Sequence, residues 1–141
     1  MRQKISIITL GVHDLERSLK FYRDGLGWQL SSNSGGDIAF FPMGGVVLAL
    51  YPWAKLAEDA LVASQGSGFP GFTLAYNTKS KAEVEQVLDT VRSLGMKITR
   101  EAQDVFWGGY HGYFEDPDGY LWEVAWAPFI EFDEQDNLKL S

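Results

Sequence analysis

The sequence contains no cysteine among its 141 residues. This absence excludes a disulfide framework, a zinc-thiolate cluster and a cysteine nucleophile, and it is neutral to mildly favourable for a reducing compartment. Long apolar runs are also absent, since the N-terminal segment MRQKISIITLGV soon reaches Gly11, His13 and Asp14. That segment predicts a first strand rather than a signal peptide, and we expect a soluble cytoplasmic protein.

Positive charge is scarce, with 12 Lys and Arg residues against 19 Asp and Glu residues and a net charge of -7. This balance would repel a nucleic-acid backbone or an anionic membrane, so we expect neither as a partner. Histidine is also rare, since only His13 and His111 are present. Hydrophobic residues make up 45% of the chain, which is ample for one compact domain or two small modules sharing a core.

The residues that are present form a weak internal repeat, in which a strand and a helix are followed by further strands. In the first half, Ile5 to Val12 predicts a strand, and Asp14 is a candidate N-cap for the helix after it. In the second half, Phe72 to Tyr76 predicts a strand, and Ser80 with Glu83 forms a capping box. Three strands are predicted after each helix: 29–32, 37–42 and 46–51 in the first half, and 97–101, 111–115 and 120–126 in the second.

This order predicts an α+β fold with two βαβββ modules. The predicted boundaries are a first module at 1–54, a helical linker at 55–70, a second module at 71–128 and an acidic tail at 129–141. The linker follows from an amphipathic stretch at 54–64 and from the segment SQGSGFPGF. The tail is acidic and polar, and we expect it to be a loosely held extension.

Two segments carry a family resemblance: LGVHDLERSLKFYRDGLGW at 10–28 and GYFEDPDGYLWEVAWAP at 112–128. Together, at this spacing, they resemble the vicinal oxygen chelate superfamily, which includes glyoxalase I, extradiol dioxygenases and bleomycin-resistance proteins. The resemblance extends from about Lys4 to Pro128. It implies paired βαβββ modules whose curved mixed sheets surround a cleft. In enzymes of the family, the first and last strands of each module hold a divalent metal there.

Four positions correspond to the metal ligands that the resemblance implies. In chain order they are Ile7, Ala49, Gly71 or Phe72, and Glu123. The first lies seven residues before Asp14, and the second falls opposite Glu123 when 45–49 is aligned with 119–123. Only Glu123 is a metal-ligating residue, and zinc, nickel or iron sites need three or more N, O or S donors. We therefore expect no metal and no other cofactor.

Aromatic residues are concentrated in the segments expected to line the cleft. They are Phe40, Phe41, Tyr51 and Trp53 in the first module, and Trp107, Tyr110, Tyr113 and Trp122 in the second. Aromatic residues at alternate strand positions belong more often to a core, but beside Gly108 and Gly109 they suit a pocket for a flat or apolar small molecule. The candidates for ligand contact are Trp107, Tyr110, Trp122, Phe41 and Tyr51. Glu123 and His111, with Tyr110, are the candidate polar groups.

Two functions of different classes remain open at this point. The first is a metal-independent small-molecule binding protein of the bleomycin-resistance type. The second is a lyase, isomerase or hydrolase of glyoxalase-like ancestry, in which Glu123 is a catalytic general base aided by His111. An enzyme with relocated metal ligands is a third alternative. Edge strands in the two modules further predict a homodimer.

Overall fold

The computed structural model describes residues 1–3, 5–70 and 72–139. The chain divides into two compact units, Met1–Gly68 and Phe69–Ser141. The α+β class predicted from the sequence is confirmed, because each unit combines helix with a mixed sheet. Within the described ranges, no helix has both the length and the apolar character needed to cross a membrane.

The first unit consists of one three-stranded sheet and its helices. Its elements are β1 (Ile7–Val12), α1 (Leu15–Leu19) with a π-helical continuation (Lys20–Gly25), β2 (Ala39–Pro42), β3 (Val47–Pro52) and α2 (Trp53–Asp59). The strand order is β1-β3-β2, with β1 parallel and β2 antiparallel to β3. Asp14 caps α1 as predicted, because its side chain accepts a hydrogen bond from the Arg17 N–H at 3.2 Å.

The core of the first unit lies between this sheet and the helix after β1. Leu10, Leu50 and Phe41 are each at most 1% exposed. Phe41 contacts the fully buried Tyr22 of the π-helical turn, with ring centroids 6.2 Å apart. Since side chains alternate along a strand, Phe40 points to the other face of the sheet.

Two predicted elements of the first unit differ in the structure. The strand predicted at 29–32 is absent. The Ser31 N–H donates to the Phe40 carbonyl, and the chain then turns so that the Ser34 N–H donates to the Ser31 carbonyl. The small polar residues that follow Ser31 favour this turn over an extended strand. The helix predicted at 54–64 is α2, which ends at Asp59 before Leu61 adopts a left-handed φ of 57°.

The second unit has the full order of strand, helix and three strands. Its elements are β4 (Leu74–Asn77), α3 (Lys81–Ser93), β5 (Ile98–Asp104), β6 (Tyr110–Glu115) and β7 (Leu121–Trp126). They form a sheet of order β4-β7-β6-β5, in which β4 is parallel to β7 and the other pairs are antiparallel. The turn between β6 and β7 is closed by Asp116, whose Oδ1 accepts hydrogen bonds from the N–H groups of Asp118 and Tyr120.

Helix α3 packs on this sheet through the predicted apolar stripe. Val84, Leu88 and Val91 are each at most 1% exposed. Ser80 caps the helix as predicted, with its hydroxyl accepting from the Glu83 N–H at 3.1 Å. The Glu83 carboxylate accepts from the N–H of Lys79 rather than from that of Ser80, so the reciprocal bond falls one residue earlier than a capping box predicts.

The acidic tail contains a short hairpin, where the sequence predicts a loose extension. Its strands are β8 (Glu131–Phe132) and β9 (Leu138–Lys139). Asp133 organises the turn, because its Oδ1 accepts from the N–H groups of Gln135 and Asn137. A salt bridge of 2.9 Å between Lys79 and Asp136 joins the hairpin to the segment before α3.

Candidate functional site

The two faces of the second sheet are distinguished by Gly112 on β6. A Cβ at Gly112 would lie 2.6 Å from Leu88 of α3, so this position faces the helix. Alternation then directs His111 and Tyr113 to the opposite face, and the pairing of Tyr113 with Glu123 brings the carboxylate to the same side. We call this side the polar face, defined by His111, Tyr113, Glu123 and the β5 residues paired with the first two, Gln103 and Arg100.

Glu123 is the centre of a hydrogen-bonded group on the polar face. His111 Nδ1 lies 2.6 Å from Glu123 Oε2, and the Tyr113 hydroxyl donates to the same oxygen at 3.2 Å. The His111 side chain is only 6% exposed and that of Glu123 is 22% exposed. Burial raises the pKa of Tyr113, and the Glu123 charge raises it further, while Arg100 opposes the shift. The Tyr113 hydroxyl therefore stays protonated and donates to the Glu123 carboxylate.

The second ring nitrogen of His111 has a different environment. Nε2 is buried and has no hydrogen-bond partner among the described residues. The ring makes edge contacts with Trp107 at 5.7 Å and with Tyr113 at 5.3 Å between centroids. Trp107 lies so close to Gly109 that a Cβ there would be 1.9 Å from the indole. Glycine at 109 is thus required for Trp107 to lie beside His111.

Two of the predicted ligand contacts lie on the other face of the sheet. Trp122 is 6% exposed and stacks on Phe114, with 3° between the ring planes. The Tyr110 hydroxyl donates to Glu85 of α3, and this bond raises the pKa of Tyr110 to about 12. These contacts assign Trp122 to core packing and Tyr110 to the helix side, whereas the sequence predicts both as ligand contacts.

The remaining aromatic candidates belong to the first unit. Phe41 is 1% exposed and packs against Tyr22 and Trp28, so it is a core residue rather than a ligand contact. Tyr51 is half-buried on β3, where it pairs with Gly11 of β1. The candidates that the structure brings together are therefore His111, Glu123 and Trp107.

The strand pairing gives register equivalents for the four positions of the implied metal site. Thr9 pairs with Ala49, and Ala75 pairs with Glu123, so Ala49 and Glu123 are equivalent as predicted. Ile7 lies two residues before Thr9, and the residue two before Ala75 is Thr73. By this spacing the equivalent of Ile7 is Thr73, whereas the resemblance points to Gly71 or Phe72. Of that pair, Gly71 lies outside the described residues, and Phe72 is exposed beside Tyr120.

The residues at these positions do not fit a divalent metal. Ile7 and Ala49 present hydrocarbon and Thr73 a neutral hydroxyl, which leaves Glu123 as a single anionic donor. Across 1–3, 5–70 and 72–139, no three His, Cys, Asp or Glu side chains are grouped so that they could hold a metal ion. His13 does not contribute, because it stacks on Trp53 in the first unit with ring centroids 4.7 Å apart.

The first unit contains a separate cavity of about 280 Å³. It is lined by Ile7, Ser31, Asn33, Phe40, Pro42 and Val47. Pairing of Phe40 with Ala49 and of Pro42 with Val47 shows that its floor is the sheet face turned away from the core. The cavity surface is mainly hydrocarbon, and of the four implied metal-ligand positions it includes only Ile7.

Comparisons with known proteins agree with this topology. A family model described as the Glyoxalase/Bleomycin resistance protein/Dioxygenase superfamily matches residues 4–124. The chain belongs to this superfamily. It is 31% identical over 126 residues to a probable lactoylglutathione lyase of Vibrio parahaemolyticus, covering 82% of this chain and 84% of that protein. A probable lactoylglutathione lyase of Synechocystis is 29% identical over 124 residues, covering 80% of this chain and 87% of that protein.

Solved structures of the superfamily are also similar to this chain. A glyoxalase-related enzyme from Fulvimarina pelagi superposes with a TM-score of 0.88 at 34% identity, over 99% of both chains. A glyoxalase/bleomycin resistance protein/dioxygenase from Nocardioides gives a TM-score of 0.72 at 31% identity, over 90% of this chain and 85% of that one. The superfamily assignment thus rests on both sequence and fold.

Sequence reasoning missed three residues of the polar face. Tyr113 was noted among the aromatic residues, and its spacing of two from His111 on one strand was the signal that could have selected it. Arg100 and Gln103 gave no such signal. They are three residues apart, and an unbroken strand would place them on opposite faces.

Proposed function

We propose that this superfamily member binds a small aromatic or largely apolar molecule at the polar face of its second unit, without a metal. One observation carries the proposal: the buried Nε2 of His111 has no partner among the described residues. An unsatisfied buried polar group costs about 1–3 kcal/mol. A ligand group that hydrogen-bonds Nε2 would remove that cost.

The surroundings of His111 support an aromatic ligand. Trp107 and Tyr113 both meet the imidazole edge to face, and Phe129 extends the aromatic surface beyond Trp107 at 6.2 Å. Trp107 is 37% exposed and Phe129 is 65% exposed, so their rings have free area. Rings of this kind supply stacking area, while a few polar atoms fix the orientation of the ligand.

The chemistry of the four implied ligand positions supports binding without a metal. Of these four positions only Glu123 carries a carboxylate, and that carboxylate already accepts hydrogen bonds from the protein. A divalent cation would need further donors that these positions lack. In the proposed function Glu123 instead holds the imidazole in one orientation.

A second candidate is a lyase or isomerase, and the curated relatives named probable lactoylglutathione lyase support it. The geometry favours a changed division of roles in that case. Oε2 of Glu123 is occupied by two protein groups, whereas Nε2 of His111 is unused. We therefore propose His111 as the group that exchanges a proton with substrate, and Glu123 as the residue that orients it.

A homodimer is also proposed. Strands β1 and β4 are edge strands of their respective sheets, and exposed edges are commonly covered by pairing. Sedimentation velocity at tens of micromolar protein tests this point. A dimeric species supports it, and a monomer across that range overturns it.

The central experiment is a thermal-shift screen of small aromatic compounds in buffer containing EDTA, followed by calorimetric titration of the hits. Binding should persist in EDTA, and His111→Gln should weaken it about tenfold, the effect of losing about 1.4 kcal/mol. His13→Gln is the matched control, since it removes the other histidine and lies in the first unit. Binding that requires added zinc or nickel, or that is unchanged in His111→Gln, would overturn the proposal.

The same variants separate the two candidate functions. Turnover of lactoylglutathione in EDTA, followed by ultraviolet absorbance, should be abolished in His111→Gln and retained in His13→Gln if the protein is a lyase. Ligand binding without such turnover supports the binding protein.

A further inference from the structure

Strand β5 contains two irregularities that alter which side chains reach the polar face. Ile98 pairs with Phe114, Arg100 with Tyr113, and Gln103 with His111. The register therefore shifts between Ile98 and Arg100 and again between Arg100 and Gln103. Each shift inserts one extra residue in β5 relative to β6, and such bulges redirect side chains beside functional sites.

The consequence is that Arg100 and Gln103 both lie opposite residues of the polar face. With the Gln103 amide oriented to satisfy both groups, its oxygen accepts from Arg100 Nε at 2.8 Å and from Nη2 at 2.6 Å. A guanidinium has five N–H donors, so further donors remain available. Gln103 thus holds the cation in place without neutralising it.

Arg100 differs from Arg92 and Arg23 in lacking a carboxylate partner among the described residues. Arg92 pairs with Asp89 at 2.6 Å and with Glu101 at 2.7 Å, and Arg23 pairs with Asp24 at 2.8 Å. Among the described residues Arg100 forms no ion pair, and its guanidinium donates to the Gln103 amide oxygen. A positioned guanidinium without a counter-ion is suited to bind a carboxylate through parallel hydrogen bonds.

The pairing register also fixes where the charges lie. Arg100, Tyr113 and Glu123 are in one row across β5, β6 and β7. Adjacent strands are about 4.8 Å apart, so the backbones at Arg100 and Glu123 are roughly 10 Å apart. Glu115 also lies on this side of β6 by alternation, and it is paired with Lys97 at 3.8 Å. An anionic group would therefore be held at the Arg100 end, away from the Glu123 carboxylate.

We infer that the ligand of the polar face is a small aromatic acid, with its carboxylate on Arg100 and its ring beside Tyr113 and Trp107. A hydrogen-bonding substituent on the ring would reach His111. This inference rests on the proposed function and names the chemical class of its ligand. One acidic group is expected rather than several, because the net charge of -7 repels additional negative charge.

The test uses benzoate and benzamide, which have similar shape but differ in charge. Each is titrated into the full-length protein in EDTA at fixed ionic strength and neutral pH, and binding is followed by amide proton–nitrogen spectra. Benzoate should bind about tenfold more tightly than benzamide, as a charge-assisted pair replaces a neutral one. Arg100→Gln should remove this preference, and Arg100→Lys should restore part of it.

Arg92→Gln is the matched control, since it removes an arginine of the same unit whose partners lie on α3 and β5. The preference for benzoate should survive in that variant. Equal binding of the two probes, a preference that survives Arg100→Gln, or no change at polar-face resonances with either probe would overturn the inference. Benzamide binding that depends on His111 would still support the proposed function, so the two failures are distinguishable.

Discussion

The two units of the chain share a strand pairing but present different chemistry on the sheet face turned away from the core. In the first unit, Ala49 lies between Thr9 and Phe40 in the pairing register. In the second, Glu123 lies between Ala75 and Tyr113 at the equivalent position. The first face borders a mainly hydrocarbon cavity, while the second carries a hydrogen-bonded polar group.

The shared topology therefore places side chains at equivalent positions but does not determine their chemistry. At the centre of equivalent rows one unit has Ala49 and the other has Glu123. Function must therefore be argued from the residues of each face separately. Variants that make one unit resemble the other, or that remove a feature common to both, test this comparison directly.

The largest expected effect concerns the core sides, where the two units are alike. Phe41 and Phe114 are equivalent by register and are 1% and 3% exposed. Phe41→Ala should lower the free energy of unfolding by about 3–5 kcal/mol, because it leaves a cavity in a packed core. Urea denaturation measures the loss, and Phe114→Ala should give a similar value.

A second test of Phe41 measures ligand binding instead of stability. A conservative variant, Phe41→Leu, should fold and retain the affinity of any ligand of the polar face. Weaker binding without loss of stability in that variant would return Phe41 to the list of ligand contacts.

Much of the framework could be predicted from short-range signals. The caps at Asp14 and Ser80, the apolar stripe of α3 and the equivalence of Ala49 with Glu123 each depend on local side-chain chemistry or on a simple repeat. The strand predicted at 29–32 failed because small polar residues bonded to their own backbone in a turn instead.

The errors at the candidate site have two physical origins. Tyr110 with His111, and Trp122 with Glu123, are neighbours on one strand, so alternation alone prevents each pair from sharing a face. That constraint was available in the sequence. The β5 bulges could not be predicted from the sequence, because they arise from the pairing of β5 with β6 rather than from any local pattern.

A smaller loss of stability is expected at a position where the two units differ by one methyl group. Gly112 is equivalent to Ala39 by register, yet a Cβ at 112 would lie 2.6 Å from Leu88 and 2.8 Å from the Arg100 carbonyl. Gly112→Ala should therefore destabilise the protein by about 1–3 kcal/mol through overpacking. Gly45→Ala is the control, because nothing lies within 4 Å of a Cβ there. Equal stability of both variants would contradict the close packing of α3 on β6.

A comparable loss should follow when the second unit is given the alanine of the first. Glu123→Ala removes the acceptor of His111 Nδ1 and should cost about 1–3 kcal/mol, because a buried donor is left unsatisfied. Glu115→Ala on the same side is the control, with an expected loss below about 1 kcal/mol for its exposed pair with Lys97. Thermal and urea denaturation of both variants make the comparison. A loss no larger than that of Glu115→Ala would show that the His111–Glu123 bond does not stabilise the fold.

The smallest expected effect on stability distinguishes two tyrosines of one strand. The pKa of Tyr110 is raised to about 12, mainly by its hydrogen bond to Glu85, and the pKa of Tyr113 is raised mainly by burial. Since the pKa of Tyr110 is higher in the folded than in the unfolded protein, the associated stability is present below about pH 10 and is lost as the pH rises toward 12. Absorbance at the tyrosinate band should show a component that ionises near pH 12, and Tyr110→Phe should remove it.

The matched pair Tyr110→Phe and Tyr113→Phe then tests the assignment of faces. Tyr110→Phe should change stability at neutral pH by no more than about 0.5 kcal/mol, because its partner Glu85 is exposed, and it should leave benzamide binding unchanged. Tyr113→Phe removes a donor from the Glu123 carboxylate beside His111, so it should weaken benzamide binding while the fold persists. Calorimetric titration of the two variants decides the point, since equal affinity loss in both would mean that the helix side and the polar face are not separated as the β6 register requires.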